Sequence, residues 1–523
     1  MLGALPVVAD FSRRLRLREI IDVACPMREV STAVVTHGQV IEVLVANRLT
    51  SPVPLLRVQD WAAVWAVPEV FGVAADALND DRVGRALDAV AGHLDHLVGS
   101  VGAAAIGVFG LDVTRMHWDM TSISLHGAYD TVEEGLPLPK FGHPKDRRPD
   151  LKQIQAGIAV SGDGGVPVFH RAFDGGAGEV SQVVPAMQAL QKLAGPARML
   201  MIGDSKLVSY PNLAAMGQAG VAFIAPASKN YVPVEVLAAQ DLSQAVEVDY
   251  VAARDAAKTP DRRGRWHVHQ DAMNLPGPRK RDPVLTLRRI FVHSSARATA
   301  AGTARAKKLD RARDDLGRLT RGLGSRHYPD PAAVTARVQA ISTSRRVGAY
   351  LRTTIGVDEH GKPTLTWSFN QATLDAQAQS DGWYALLTNL DPGEADAAEV
   401  LRRYKGQEAV ERRYQAFKGP LAVAPLFVKN NRRIAALITV ICLALLIFCL
   451  VEREVRRAIA PAEKLDDLYT GRPAKPTSRL IFEALQQLRL IPSHGNDPPV
   501  IPQPGPLQTQ LLDLLNVDPL QLA

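Results

Sequence analysis

The segment ARMLMIGD (residues 197–204) passes from Arg198 through four apolar residues to an acid, Asp204. A short unbroken apolar run of this kind reads as a strand buried on both faces, the mark of a central strand in an α/β sheet. Working outward, helical periodicity covers about 178–194 and 205–219, and VAFIAP (221–226) reads as the next strand. Upstream, TRMHWDMTSISLHGAYD (114–130) is rich in Thr, Ser, Ile and Trp and predicts a strand. IQAGIAVSGDGGVPVFHRAF (154–173) predicts two more, joined by the Gly-Asp-Gly-Gly turn at 162–165. Strands alternating with helices after an opening hairpin place residues 106–230 in an α/β layer with a mixed sheet.

The flanks differ. Residues 1–105 repeat apolar positions at helical spacing, as in GQVIEVLVANRL and VGRALDAVAGHLDHLV, and predict an all-helical, separable domain. Residues 231–380 break the α/β rhythm with the basic segments DRRGRWHVHQ, PRKRDPVLTLRR and ARAKKLDRARDDLGRL, followed by a hairpin turning at Asp358–Gly361. This part reads as an insertion. The α/β pattern resumes over 381–457 with the strand WYALLTNL (383–390) and helices over about 395–418 and 430–457. From 458 to 523, turn-rich runs such as PSHGNDPPVIPQPGP predict a loosely ordered tail.

The chain has 523 residues, of which 46% are hydrophobic and 22% charged, as expected for a folded protein of about three domains. Three cysteines, Cys25, Cys442 and Cys449, are too few for a disulfide framework and lack paired metal-ligand spacing, which fits a reducing compartment, the cytoplasm. A net charge of +7 is compatible with a polyanion such as DNA.

RRYKGQEAVERRYQAFKGP (402–420) predicts one helix whose residues Tyr404, Gln407, Glu411 and Lys418 share a face. Spacing alone fits a solvated charged face better than a functional stripe. Tyr-x2-Arg-x3-Glu-x6-Lys, however, is the signature of the insertion-sequence-four-like group of bacterial DDE transposases, and this chain resembles it with Gln407 in place of the arginine. WDMTS, with Asp119, resembles the segment of that group's first aspartate, and MIGDSKLVS, with Asp204, that of the second. The long interval from 204 to 411 resembles members carrying an inserted domain between the second and third acids.

The resemblance implies a ribonuclease-H-like core, with Asp119, Asp204 and Glu411 as a catalytic triad holding two Mg²⁺ or Mn²⁺ ions. Two such ions can activate a nucleophile and stabilise the leaving oxygen of a phosphodiester, and Mg²⁺ prefers hard oxygen ligands. It further implies that Tyr404, Gln407 and Lys418 meet DNA, that the helices of 1–105 bind terminal inverted repeats, and that two copies act in a paired-end complex. Arg279, Lys280 and Arg281, in the basic insertion, are expected to contact phosphates.

Weaker signals are read more simply. His267 and His269 alternate like paired metal ligands but lack a third with suitable spacing. Trp266, Trp367 and Trp383 are candidates for stacking on a flipped base, though packing in a core is the commoner use. IAALITVICLALLIFCLV (434–451) is long enough to span a bilayer. Cations on both sides give it no orientation bias, so a buried helix is expected rather than a membrane anchor. The rival functions are a nuclease without strand transfer and a catalytically inactive DNA-binding repressor.

Overall fold

The computed structural model describes residues 1–28, 33–129, 133–142, 144–145, 147–195, 198–421, 428, 430–461, 463–491 and 499–520. Helices α1 (Leu5–Arg14), α2 (Leu17–Ala24), α3 (His37–Thr50), α4 (Val58–Val64), α5 (Val67–Phe71), α6 (Asp80–Ala91) and α7 (Leu94–Phe109) come first. Strands β1 (Arg115–Leu125), β2 (Lys152–Ser161) and β3 (Pro167–Phe173), helix α8 (Glu179–Ala194), strand β4 (Leu200–Ile202) and helix α9 (Tyr210–Gln218) follow. Next are β5 (Ala222–Pro226), α10 (Val234–Ala238), β6 (Val246–Glu247), β7 (Trp266–Leu275), β8 (Leu285–Ser294), α11 (Ser295–Arg321) and α12 (Pro331–Arg345). The hairpin β9 (Leu351–Val357) and β10 (Pro363–Phe369), helix α13 (Gln371–Gln379), strand β11 (Trp383–Thr388) and helix α14 (Ala397–Lys405) continue the chain. It closes with α15 (Glu408–Lys418), α16 (Asn431–Ala458), β12 (Leu465–Tyr469), β13 (Arg472–Ala474), α17 (Ser478–Leu485) and α18 (Pro506–Leu515).

These elements form two compact units, Met1–Ala222 with Lys405–Ala523, and Phe223–Tyr404. In the first, the strand order is β3-β2-β1-β4. β1 pairs antiparallel with β2 over Met116↔Ser161 to Leu125↔Lys152, β2 pairs antiparallel with β3, and β4 runs parallel to β1. An antiparallel trio with a fourth strand parallel to its first member is the ribonuclease-H-like order, and the α/β expectation with a mixed sheet holds.

Helix α16 forms the core of this unit. It is long and apolar enough to cross a membrane, yet its apolar stretch is wholly buried, packed against α3, α6, β3 and α18. Burying such a surface is the main source of stability available to a unit of this size. Its polar ends are satisfied locally. Asn430 caps the helix by accepting the Arg433 N–H, Arg433 pairs with Asp88 of α6 at 2.7 Å, and Arg453 donates to the carbonyl of Phe109 at 3.0 Å.

Two expectations need correction here. The helices of residues 1–105 do not stand as a separable domain, because α3 and α6 cover α16 within the same unit as the sheet. The tail is not loosely ordered where it is described. β12 and β13 pair, and α17 and α18 bury Ile481, Phe482, Leu485, Leu511, Leu512 and Leu515, with Phe482 against Phe448 of α16 at 5.3 Å between rings. Residues 492–498 of the turn-rich run lie outside the described residues.

The second unit, Phe223–Tyr404, is wider than the insertion read over 231–380, taking in β5, β11 and α14. Its strands run β5-β11-β8-β7-β6, with antiparallel pairing throughout. Beside them, α11 and α12 pack on the β9–β10 hairpin around Leu316, Leu319, Val334, Val338 and Ile341.

Candidate active site

β1 and β4 lie side by side in parallel, paired Arg115↔Leu200, Met116↔Met201 and His117↔Ile202. Two residues beyond the last pair, one strand carries Asp119 and the other chain segment Asp204, so the register brings the two acids level. Their proximity is visible in their electrostatics. Burial, above all, pushes the Asp119 carboxyl up to about 6; the Lys145 ammonium and the Met120 N–H oppose this, while the negative charges of Asp204 and Glu179 add to it. Asp119 Oδ1 accepts the Met120 N–H at 2.8 Å, and Asp204 Oδ1 accepts the Lys206 N–H at 2.9 Å, a local turn that fixes the second acid just past the strand end.

The segment 402–420 is not one helix. It breaks at Gly406, and α15 starts afresh with Gln407 as its N-terminal flanking residue. Tyr404 therefore ends the second unit, where it lies near Tyr384, whose hydroxyl is pushed up chiefly by burial. The Gln407 amide is engaged within the protein. Its Nε2 donates to the carbonyl of Trp118 at 3.2 Å, and its Oε1 lies 3.1 Å from His117 Nδ1. Burial holds His117 down to about 4, so the ring is neutral near pH 7 and its Nδ1–H can donate to that oxygen.

These bonds, with those of Tyr414, lay α15 across β1. The Tyr414 hydroxyl lies 2.6 Å from the carbonyl oxygen of Asp119 and 3.1 Å from that of Ala156, and the residue is buried. Glu411 falls between Gln407 and Tyr414 on one face at ~100° per residue, and it is exposed. Lys418 is exposed at the end of the same helix. Arg413 holds α15 from the other side, donating to the carbonyls of Gly165 at 2.8 Å and Gly164 at 2.6 Å.

Three residues of this site are not singled out by the sequence. Tyr414 has a usable signal, lying seven residues after Gln407 on the same helical face. Lys145 and Glu179 have none, since each reaches Asp119 only through the tertiary fold. Lys145 Nζ is 3.5 Å from Asp119 Oδ1 and 3.6 Å from Glu179 Oε1.

Among the described residues, no three or more His, Cys, Asp or Glu side chains are grouped closely enough to hold a metal ion. Asp119 and Asp204 nevertheless offer the hard oxygen donors that suit Mg²⁺ or Mn²⁺. His269 stacks on Phe291 at 4.9 Å, and His267 lies 6.2 Å from His293 across the strands. Trp266 and Trp383 are buried in the second unit, and Trp367 packs at the edge of the α11–α12 core, so Trp266 and Trp383 are packing residues. Arg279, Lys280 and Arg281 stand exposed in the turn between β7 and β8.

A family model described as a domain of unknown function, DUF4277, matches residues 1–97. No curated protein matches the chain. Among solved structures, the cryo-EM structure of the piggyBac transposase synaptic complex with hairpin DNA is similar over 92% of this chain and 79% of that chain, at 9% identity and a TM-score of 0.38.

Proposed function

We propose that this protein is a DDE transposase that cleaves the ends of a mobile element and joins them to target DNA, with Asp119, Asp204 and Glu411 as its acids. The observation that carries this reading is the register of β1 and β4, which sets Asp119 level with Asp204 beneath a helix that carries Glu411. Two parallel central strands and a crossing helix are a means of bringing acids from distant parts of a sequence to one edge of a sheet.

Two Mg²⁺ or Mn²⁺ ions held there would supply the activation of a hydroxyl nucleophile and the stabilisation of the leaving oxygen. The chain's own contribution is positional. Gln407 and Tyr414 fix α15 over β1, and the Asp204 turn fixes the second acid. Glu411 is exposed on α15, where a DNA strand can reach it. Lys418, at the end of that helix, is suited to a phosphate contact. Double-stranded DNA is the partner in this reading, two copies synapse the paired ends, and the protein works in the cytoplasm on the cell's DNA.

The test is cleavage and strand transfer on a duplex carrying the inverted repeats that flank the reading frame. Asp119→Ala, Asp204→Ala and Glu411→Ala should each abolish both steps, while Asp112→Ala and Glu408→Ala retain them. Asp130, a further control from the sequence, lies outside the described residues. Activity in all three acid variants overturns the reading, and cleavage without joining in the intact protein makes the chain a nuclease instead.

A further inference from the structure

Lys145 is held in place more firmly than a surface lysine needs to be. Its backbone N–H donates to the Oγ of Ser122, a buried side chain of β1, at 2.8 Å. Its ammonium lies 3.5 Å from Asp119 Oδ1 and 3.6 Å from Glu179 Oε1, and donates to the carbonyl of Met120. An ammonium has three donors and no acceptor, and here one side of it meets two carboxylates and a carbonyl while the side chain stays 45% exposed. The Glu179 carboxylate comes from the first turn of α8, while Asp119 comes from β1, so the lysine ties two elements across the mouth of the acid pair.

A ring of oxygen ligands around one positive charge is also what a hard divalent cation requires. We propose that Lys145 is an internal counter-cation, neutralising the Asp119–Glu179 pocket in the metal-free protein and competing with a divalent ion for the same oxygens. This rests on the reading of Asp119 as a metal-ligating acid and adds Glu179 and Lys145 to it. The Asp119 and Glu179 carboxylates repel when unpaired, and the lysine, within 3.6 Å of both, offsets that repulsion at the cost of weaker ion binding. Binding of a divalent ion at Asp119 must displace the ammonium, leaving it near the pocket mouth, where a DNA phosphate is a suitable new partner.

The full-length protein titrated with Mn²⁺ alone, followed by calorimetry and by the paramagnetic resonance of free Mn²⁺, tests this. Lys145→Gln should bind Mn²⁺ about fivefold more tightly than the intact protein, the scale of one partly exposed ion pair. Lys145→Arg, which keeps the charge, should bind like the intact protein. Lys140→Gln, which removes a cation paired elsewhere with Asp174, should also leave the affinity unchanged. A second readout is thermal: Lys145→Gln should melt lower in EDTA and recover with saturating Mn²⁺, because ligand binding to the native state restores stability. Equal Mn²⁺ affinity in Lys145→Gln and the intact protein overturns the inference. Unchanged Mn²⁺ binding in Asp119→Asn instead shows that the metal reading itself fails, and the inference falls with it.

Discussion

Asp119→Asn should stabilise the metal-free protein, and by an amount that depends on pH. The acid is 18% exposed, lies by Asp204 and Glu179, and is held to about 6 rather than its ordinary 3.8, chiefly by burial and despite Lys145. A carboxyl whose pKa rises on folding keeps a proton that the unfolded chain has already lost. Its contribution is therefore favourable at low pH and is eroded as pH climbs from about 4 to about 6, with the full penalty present above. At ~1.4 kcal/mol for each pH unit between the two values, the penalty near pH 8 is about 3 kcal/mol. Asparagine keeps the Oδ1 that accepts the Met120 N–H and carries no charge to bury. Urea unfolding in EDTA at pH 4.5 and pH 8, read by the fluorescence of the tryptophans, measures both proteins under both conditions. The variant should be more stable by about 3 kcal/mol at pH 8 and by only about 1 kcal/mol at pH 4.5. A variant less stable at pH 8, or a gap that does not change with pH, refutes this account of the buried acid.

Tyr414→Phe removes a buried hydroxyl from the carbonyl of Asp119 and should cost about 1–2 kcal/mol, with activity falling further than stability because α15 loses its hold on β1; activity that tracks stability alone argues against a positioning role. Replacing Arg279, Lys280 and Arg281 together with Ala should lower the slope of log K against log salt for DNA binding by roughly 0.9 for each phosphate no longer neutralised, and an unchanged slope means this turn does not meet DNA. Arg453→Met should destabilise the protein by about 2 kcal/mol, less than the ~3–5 of a fully buried pair, because its partner Asp163 is one-third exposed; calorimetric melting measures it.

The central strands are legible because their signals are local. The run from Met199 to Ile202 has no polar residue to place on a solvent face, and the glycines at 162, 164 and 165 announce the β2–β3 turn, with positive φ at Gly164 and Gly165. The break within 402–420 is hidden because the helical spacing survives it. Gly406 lies at the interruption, and the Gln407 side chain just past it bonds to His117 and Trp118 of β1, partners far away in sequence. The order in the tail is hidden because α18, which buries Leu511, Leu512 and Leu515, packs on α16, α17 and β12, partners that the turn-rich sequence between them does not announce. The acid pair itself is readable as two strand-borne aspartates, but Lys145 and Glu179 come together only through the fold and leave no spacing to read.

The core position of α16 also sets an order of events during synthesis. The helix is made some 340 residues after α6 begins to need it, if the count runs from the end of α6 at Ala91 to the start of α16 at Asn431. At about 5–20 residues per second, the apolar faces of α3, α6 and β3 wait on the order of tens of seconds for their cover. The second unit, contiguous from Phe223 to Tyr404, can close as soon as it has emerged. The ribosome thus delivers the middle of this chain as a finished body while its first half is still open, and α16 arrives as an apolar segment whose burial completes the first unit. Slowing elongation lengthens that exposed interval, so the yield of folded protein is expected to depend on holdase chaperones more for the first unit than for the second.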